Sequence, residues 1–194
     1  MDQLVQATLH GQGPASPWVA RWSHLLQPGA SVLDIACGSG RHMKCLANLG
    51  HQVTGIDRSP EALLEAASYG ATVLADIENG PWPLMNGRNV QQFQALVVTN
   101  YLWRPLFPVM AESVAPGGFL IYETFSQGQE TVGKPSRPDF LLQAGELLAR
   151  FPGFRVIAFE EGFLENPPRF VQRLVAQRPR PMDAPAQGPE VYRL

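Results

Sequence analysis

The stretch SVLDIACGSGRH, residues 31–42, runs from an apolar segment carrying one acid, Asp34, into five small residues, Ala36 to Gly40, and then two basic ones. The apolar half reads as a buried strand, the small half as a turn cleared of bulky side chains, and Arg41 as the start of a helix. Small residues let a ligand approach the backbone closely. The following helix start offers unpaired N–H groups and the positive end of a dipole. A charged cofactor is expected to rest here.

Working outward, short apolar runs alternate with segments at helical spacing. After the helix GRHMKCLANLG, closed by Gly50, HQVTGID gives a second strand. Ser59 and Pro60 then supply an N-cap and first helical position for EALLEAASYG. ATVLADI and FQALVVTN are the third and fourth strands, RPLFPVMAESV a helix begun at a proline, and GGFLIYETF the fifth strand. Successive βα steps predict a parallel sheet covered on both faces. QAGELLARF predicts a further helix, and FRVIAFEEGF with RFVQRLVAQR a terminal hairpin joined by LENPP. The fold class is therefore α/β, a Rossmann-like doubly wound sheet of seven mostly parallel strands ending in an antiparallel hairpin. Residues 31–178 form the main domain. Residues 1–30 precede the sheet, and 179–194, rich in Pro, Gly and Gln, have little to bury and predict a disordered or loosely docked tail.

Composition narrows the function. With 194 residues, 45% of them hydrophobic, the chain has material for one ordinary core. A net charge of −2, without long basic blocks, argues against a nucleic-acid partner. Cys37 and Cys45 match neither a CxxC nor a zinc spacing, which fits a reducing cytoplasmic setting with both as core residues and no metal. The opening MDQLVQATLHGQGPASP has neither a basic start nor an apolar segment, and no run approaches about 18 apolar residues, so neither export nor membrane insertion is expected. A monomer or homodimer follows.

In an open parallel sheet the ligand lies beyond the strands' carboxyl ends. Those ends carry DIACGSG, DRS, DIENG, TNYLWR and YETF. Asp57, 17 residues after Gly40, is placed to accept from both hydroxyls of a ribose. A dinucleotide and S-adenosylmethionine explain these facts equally until the third glycine of the dinucleotide fingerprint is counted. Met43 stands there, bulky where Gly or Ala is wanted, and NAD or FAD becomes the poorer reading.

VLDIACGSG closely resembles the first motif of class I S-adenosylmethionine-dependent methyltransferases, with Ala36 in place of that family's usual first glycine. The acid after the second strand, ADIE after the third and PGGFLIYETF match in order, and the resemblance covers Ser31 to Phe125 and extends to the hairpin. A looser likeness, resting on DIACGSGRH, GHQVTGID and RPDFLLQAGEL, is to small bacterial enzymes of the tellurite-resistance and thiopurine type. It implies methylation of a small molecule such as a soft thiol, selenium or tellurium nucleophile. The family resemblance implies that Asp34, Gly38 and Gly40 line the cofactor's methionine part and that Asp57 holds the ribose. It also implies that Arg58 flanks the adenine, Asp76 accepts from its amino group and Ile77 offers it a backbone N–H, while Asn100 sits beside the sulfonium. Asp34 equally suits a loop cap and Asp76 a turn residue.

SPWVARW, residues 16–22, has two readings. In one it belongs to a helical lid formed by residues 1–30, with Arg21 meeting the methionine carboxylate and Trp18 screening the methyl group. In the other, Trp18 and Trp22, four apart, anchor a helix to the core. Arg41 competes with Arg21 for the carboxylate. Tyr101, directly after Asn100, is the nominated catalytic group, as base or as aromatic wall, ahead of Tyr122 and Glu123. Trp103, Arg104 and Phe140 are expected to shape the acceptor pocket. Two rival functions are a non-catalytic protein that binds S-adenosylmethionine and a nucleotide-dependent oxidoreductase.

Overall fold

The computed structural model describes residues 13–180 and 192–193. Seven strands form the main sheet: β1 (Ser31–Ile35), β2 (Gln52–Asp57), β3 (Ala71–Leu74), β6 (Phe93–Thr99), β7 (Val114–Phe125), β8 (Arg155–Glu165) and β9 (Pro168–Gln177). Between β3 and β6, β4 (Met85–Asn86) and β5 (Asn89–Val90) make a separate small hairpin. The helices are α1 (Pro17–Trp22), α2 (Arg41–Asn48), α3 (Pro60–Ala66), α4 (Phe107–Ser113) and α5 (Glu146–Arg150). The strand order is β3-β2-β1-β6-β7-β9-β8, parallel except for β9, which runs antiparallel to both neighbours. This is the expected doubly wound sheet with its terminal hairpin.

Register aligns the strand ends. Ile35 pairs with Ile56 and Val98, and Thr99 with Glu123, so Ala36, Asp57, Thr99 and Glu123 emerge side by side. The order reverses between β1 and β6, and the chain diverges there into helices on opposite faces. That is where an open α/β sheet leaves a crevice.

Strands buried on both faces need apolar residues at successive positions. Leu33, Ile35, Leu96, Val98, Leu120 and Tyr122 pack on one face against Phe107, Met110 and Leu147. Val32, Val97, Ile121 and Val175 pack on the other against Trp18, Trp22, Met43, Leu46 and Leu63. Met43 has room because β2 is bare opposite it: a Cβ on Gly55 would stand 2.4 Å from the methionine sulfur and 2.6 Å from Cys37 Sγ. The space that a dinucleotide fingerprint clears on its helix is cleared here on the strand.

Helix α1 starts at the cap of Ser16, whose Oγ accepts from Trp18 N–H. Trp18 and Trp22 are 2% and 1% exposed, with rings 5.6 Å apart in edge contact. Each indole buries on the order of 150–250 Å², worth about 4–6 kcal/mol at 25 cal/mol/Å². Neither indole N–H finds an acceptor among the described residues, which offsets part of that gain. The remainder still fixes α1 to the sheet, so the tryptophans are core anchors. The rest of the expected lid, residues 1–12, lies outside the described residues. At the other end, residues 181–191 and 194 of the expected tail also lie outside them. Tyr192 and Arg193 are docked: the Tyr192 hydroxyl donates to Gln177, and the Arg193 carbonyl meets His24 Nε2 at 3.2 Å. No helix among the described residues is long and apolar enough to cross a membrane.

Candidate active site

A cleft of about 560 Å³ opens over the carboxyl ends of β1, β2, β3 and β6. Of the residues nominated from the sequence, it brings together Gly38, Arg41, Asp57, Arg58, Asp76, Ile77, Asn100 and Tyr101. Asp34 and Gly40 lie just behind its wall. Gly40 caps α2 with φ 81°, and a Cβ there would press on Ala66 at 3.0 Å. Arg21 is not brought to the cleft. Its guanidinium lies over the Trp22 ring and reaches Glu160 of β8 at 3.5 Å, because α1 packs flat on the sheet and turns this side chain toward β8.

Two non-glycine residues in the cleft wall adopt left-handed backbone, Ala36 and Asn100, both with φ 54°. Each directly follows a strand, β1 and β6, that borders the switch point. Asparagine tolerates this conformation, whereas alanine pays roughly 1–2 kcal/mol for it. This accounts for the glycine usual at the position of Ala36 in the resemblance.

Asp57 ties the two glycine-side loops together. Gly38 N–H donates to Oδ2 (2.8 Å) and Ser59 N–H to Oδ1 (2.9 Å), so each oxygen keeps a lone pair facing the cleft. Asp76 is a turn residue as well as a lining one. It accepts from the N–H groups of Glu78 (3.0 Å) and Asn79 (3.3 Å) and from the Asn79 amide (2.9 Å). The Asn79 side-chain bond leads the causes that hold its carboxyl below the ordinary range.

His42, the second residue of α2, lies at the back of the cleft, 2% exposed. Its Nε2 accepts from Ser16 N–H (3.2 Å), which leaves the proton of the neutral ring on Nδ1, 3.4 Å from Thr99 Oγ1. Burial, and then Arg41, push its pKa down to about 3. Asp34 Oδ2 approaches the same nitrogen at 4.0 Å. Burial raises Asp34 to about 8, against the pull of Arg41. Beyond it lies Glu123, 1% exposed, which accepts from Ser16 Oγ (3.0 Å) and Arg173 Nε (2.5 Å). Nothing in the local sequence signals this run of contacts, because its members come from the cap of α1 and from α2, β1, β6, β7 and β9.

On the acceptor side, Arg104 is committed to the loop that follows β7. Its Nε and Nη2 donate to Glu146 (2.8 and 2.9 Å), and Nη1 and Nη2 to the carbonyls of Asp139 (2.7 Å) and Leu141 (2.8 Å). It clasps the pocket loop in place of lining a pocket itself. Tyr122, fully buried, donates to the Tyr101 carbonyl at 2.9 Å and so fixes Tyr101 from behind. Burial leads in raising the Tyr101 phenol above its ordinary value, with the Glu78 charge adding to it. Among the described residues, no group of three or more His, Cys, Asp or Glu side chains is gathered as metal ligands would be.

Residues 32–118 match the profile of a methyltransferase-domain family. The chain is 30% identical over 127 residues to the ubiquinone biosynthesis O-methyltransferase of Burkholderia pseudomallei strain 1710b, covering 61% of this chain and 54% of that one. It thus spans about half the length of the curated relatives it matches. In fold it is similar to TehB from Haemophilus influenzae, with TM-score 0.66 and 19% identity over 82% of this chain and 61% of that one. A TehB-like S-adenosylmethionine-dependent methyltransferase from Corynebacterium glutamicum gives TM-score 0.62 and 18% identity over 86% and 90%. The strand order, the glycine turn and the acid after β2 thus sit in a chain whose residues 32–118 match a methyltransferase-domain family and whose fold is similar to that of these structures.

Proposed function

We propose that the protein transfers a methyl group from S-adenosylmethionine to a small-molecule acceptor. The observation that carries this reading is the cleft at the switch point, where Gly38, Asp57, Ile77 and Asn100 converge from four strand ends. The residues present fit the cofactor. Asp57 keeps two lone pairs for ribose hydroxyls, and Ile56, Ala62, Ala75 and Ile77 give an apolar slot for a flat base beside Arg58 and Asp76. Gly38 and Gly40 bring the backbone close to the methionine part, backed by Asp34, and Arg41 offers the cation for its carboxylate. The Asn100 region faces the sulfonium. When bound, the cofactor supplies an electrophilic methyl on a positively charged sulfur.

In-line displacement needs alignment and dryness, and orientation alone can supply roughly 7–11 kcal/mol. A base is a separate requirement, set by the acceptor. On the β6–β7 side no nominated group serves. The Tyr101 phenol is held protonated by burial, Tyr122 spends its hydroxyl on a carbonyl, and Glu123 is taken by Ser16 and Arg173. Tyr101 is then a wall and a hydroxyl donor. These facts favour an acceptor whose nucleophilic atom is already anionic near neutrality, such as a soft thiolate, selenium or tellurium species.

Calorimetry with S-adenosylhomocysteine and NAD tests the cofactor. Binding of the first and not the second is expected, and the reverse result ends the reading. Turnover on a panel of thiols, selenols, tellurite and quinols tests catalysis, with mass spectrometry of methylated products. Cofactor binding without any product would make the protein a binding module.

A further inference from the structure

Behind the cleft, between the starts of α1 and α2 and the ends of β6 and β7, lies a cationic cluster that methyl transfer as described above leaves unused. Glu123 is shared by Arg173 and by Arg169, whose Nη2 stands 3.7 Å away. Glu160 is shared by Arg173 (3.2 Å) and Arg21 (3.5 Å). Arg41 lines the cleft nearby; burial leads in lowering its pKa, the charges of Asp34 and then Glu123 oppose this, and Arg169 adds to it. Of these four guanidinium groups, three, those of Arg21, Arg169 and Arg173, are held by only two carboxylates, Glu123 and Glu160.

Arg169 is the least served of the four. Its side chain is 17% exposed, its Nε–H is buried without an acceptor among the described residues, and its nearest carboxylate oxygen is beyond good hydrogen-bond distance. A desolvated cation with unmet donors is a poor arrangement unless a ligand supplies the acceptor. Its place also excludes the ribose end of the cofactor. Asn100 N–H donates to the Glu123 carbonyl (2.9 Å), so Glu123 and Arg169 lie beyond Asn100 on the side away from Asp57.

We propose that Arg169 is an anion subsite for the methyl acceptor, and that the acceptor carries a single carboxylate which lies against this guanidinium. Three guanidinium groups on two carboxylates leave one charge unmatched, which calls for one negative charge. The planar fork of Arg matches a planar carboxylate through two parallel hydrogen bonds. The proposal rests on the methyl-transfer reading, and its test is separable from it.

The test titrates protein saturated with S-adenosylhomocysteine with benzoate, and with benzamide as its neutral isostere, in wild type, R169Q and R169K. Benzoate should bind wild type at least tenfold more tightly than benzamide. R169Q should lose at least tenfold in benzoate affinity while keeping its S-adenosylhomocysteine affinity within twofold, and R169K should recover part of the loss. If R169Q does not fold, R169K and the benzoate–benzamide contrast decide. Absence of benzoate binding to wild type, equal binding of benzamide, or unchanged benzoate affinity in the variants overturns the subsite. Parallel loss of S-adenosylhomocysteine assigns Arg169 to the cofactor and overturns it too. Failure of S-adenosylhomocysteine to bind wild type strikes the methyl-transfer reading, and benzoate titration of the free protein then judges the subsite alone.

Discussion

On the β1–β2–β3 side of the cleft, the polar contacts that shape the wall join residues close in sequence: Asp57 to Ser59, Asp76 to Glu78 and Asn79, and Asp57 to Gly38 across 19 positions. On the β6–β7–β9 side they span 26 residues from Ser16 to His42, 42 from Arg104 to Glu146, 50 from Glu123 to Arg173 and 107 from Ser16 to Glu123. The first wall is an almost local product of strand ends and turns. The second exists only when elements far apart in the chain have docked. A cofactor of fixed shape suits the first construction, and a pocket assembled for a particular acceptor suits the second.

The comparison is tested most severely at Asp57. D57A should lower S-adenosylhomocysteine affinity by about a hundredfold or more, since two charge-assisted hydrogen bonds of about 1.5–3 kcal/mol each are removed. It should also lower the melting temperature, because Gly38 N–H and Ser59 N–H lose their acceptor. Unchanged affinity in calorimetry would move the ribose site elsewhere.

The opposite wall is broken at Glu146, which holds Arg104, Arg150 (2.9 Å) and the Gln143 N–H (3.0 Å). Burial would raise its carboxyl, but these partners, Arg104 foremost, outweigh it and bring the pKa down to about 2. E146A should cost about 2–3 kcal/mol, discounted for the partial exposure of both arginines, or roughly 4–12 °C in melting temperature. Stability from a depressed carboxyl is complete above its ordinary 4.5 and is lost as pH falls through about 2, so the gap between variant and wild type should close in strong acid. Cofactor affinity should stay within twofold while turnover falls. A matching loss of affinity would show that the two walls are not independent.

The boundary between the walls, Asp34 and His42, should appear as a pH effect. Asp34, ordinarily 3.8, is raised to about 8 by burial, so its protonated form stabilises the fold fully at low pH and that contribution is lost as pH rises through about 8. His42, ordinarily 6.5, is lowered to about 3, so its contribution is present above 6.5 and is lost as pH falls toward 3. The two oppose each other between 3.8 and 6.5. Between 6.5 and 8 only Asp34 acts, and the melting temperature should fall by a few degrees. D34N should flatten that slope, and a slope that persists in the variant assigns it to another group.

Legibility follows the same division. The strand sequence, the switch point, the glycine turn and Asp57 were readable because apolar runs, Gly, Pro and a strand-end acid carry their meaning locally. The β4–β5 hairpin was missed, although Gly87, with φ 64° in a two-residue loop, is a turn signal, because two-residue strands leave no periodicity. The loop expected at LENPP shrinks to residues 166–167, since cross-strand pairing carries β8 and β9 through both ends of that segment. The roles of His42, Glu123 and Arg104 are not legible in this way. Each is defined by partners that no spacing rule connects.

Arg21 gives the smallest expected effect and the sharpest contrast between two accounts of α1. As a ligand of the methionine carboxylate it would be worth a charge-assisted pair in a partly dry site, and R21A would lose cofactor affinity tenfold or more. The geometry places it instead in a surface pair with Glu160 at 3.5 Å, with the two side chains 51% and 46% exposed, beside the buried Trp22 ring. Exposed pairs of this kind contribute about 0.2–1 kcal/mol and are screened by salt. R21A should therefore leave S-adenosylhomocysteine affinity unchanged and lower the melting temperature by no more than about 4 °C, a difference that shrinks in high salt. Because Trp18 and Trp22 fix α1 to the sheet, Arg21 could reach the cleft only if the helix left its core site, exposing both indoles. A tenfold affinity loss in R21A would mean that this displacement occurs when the cofactor binds, and α1 would have to be counted with the acceptor wall as a part that moves.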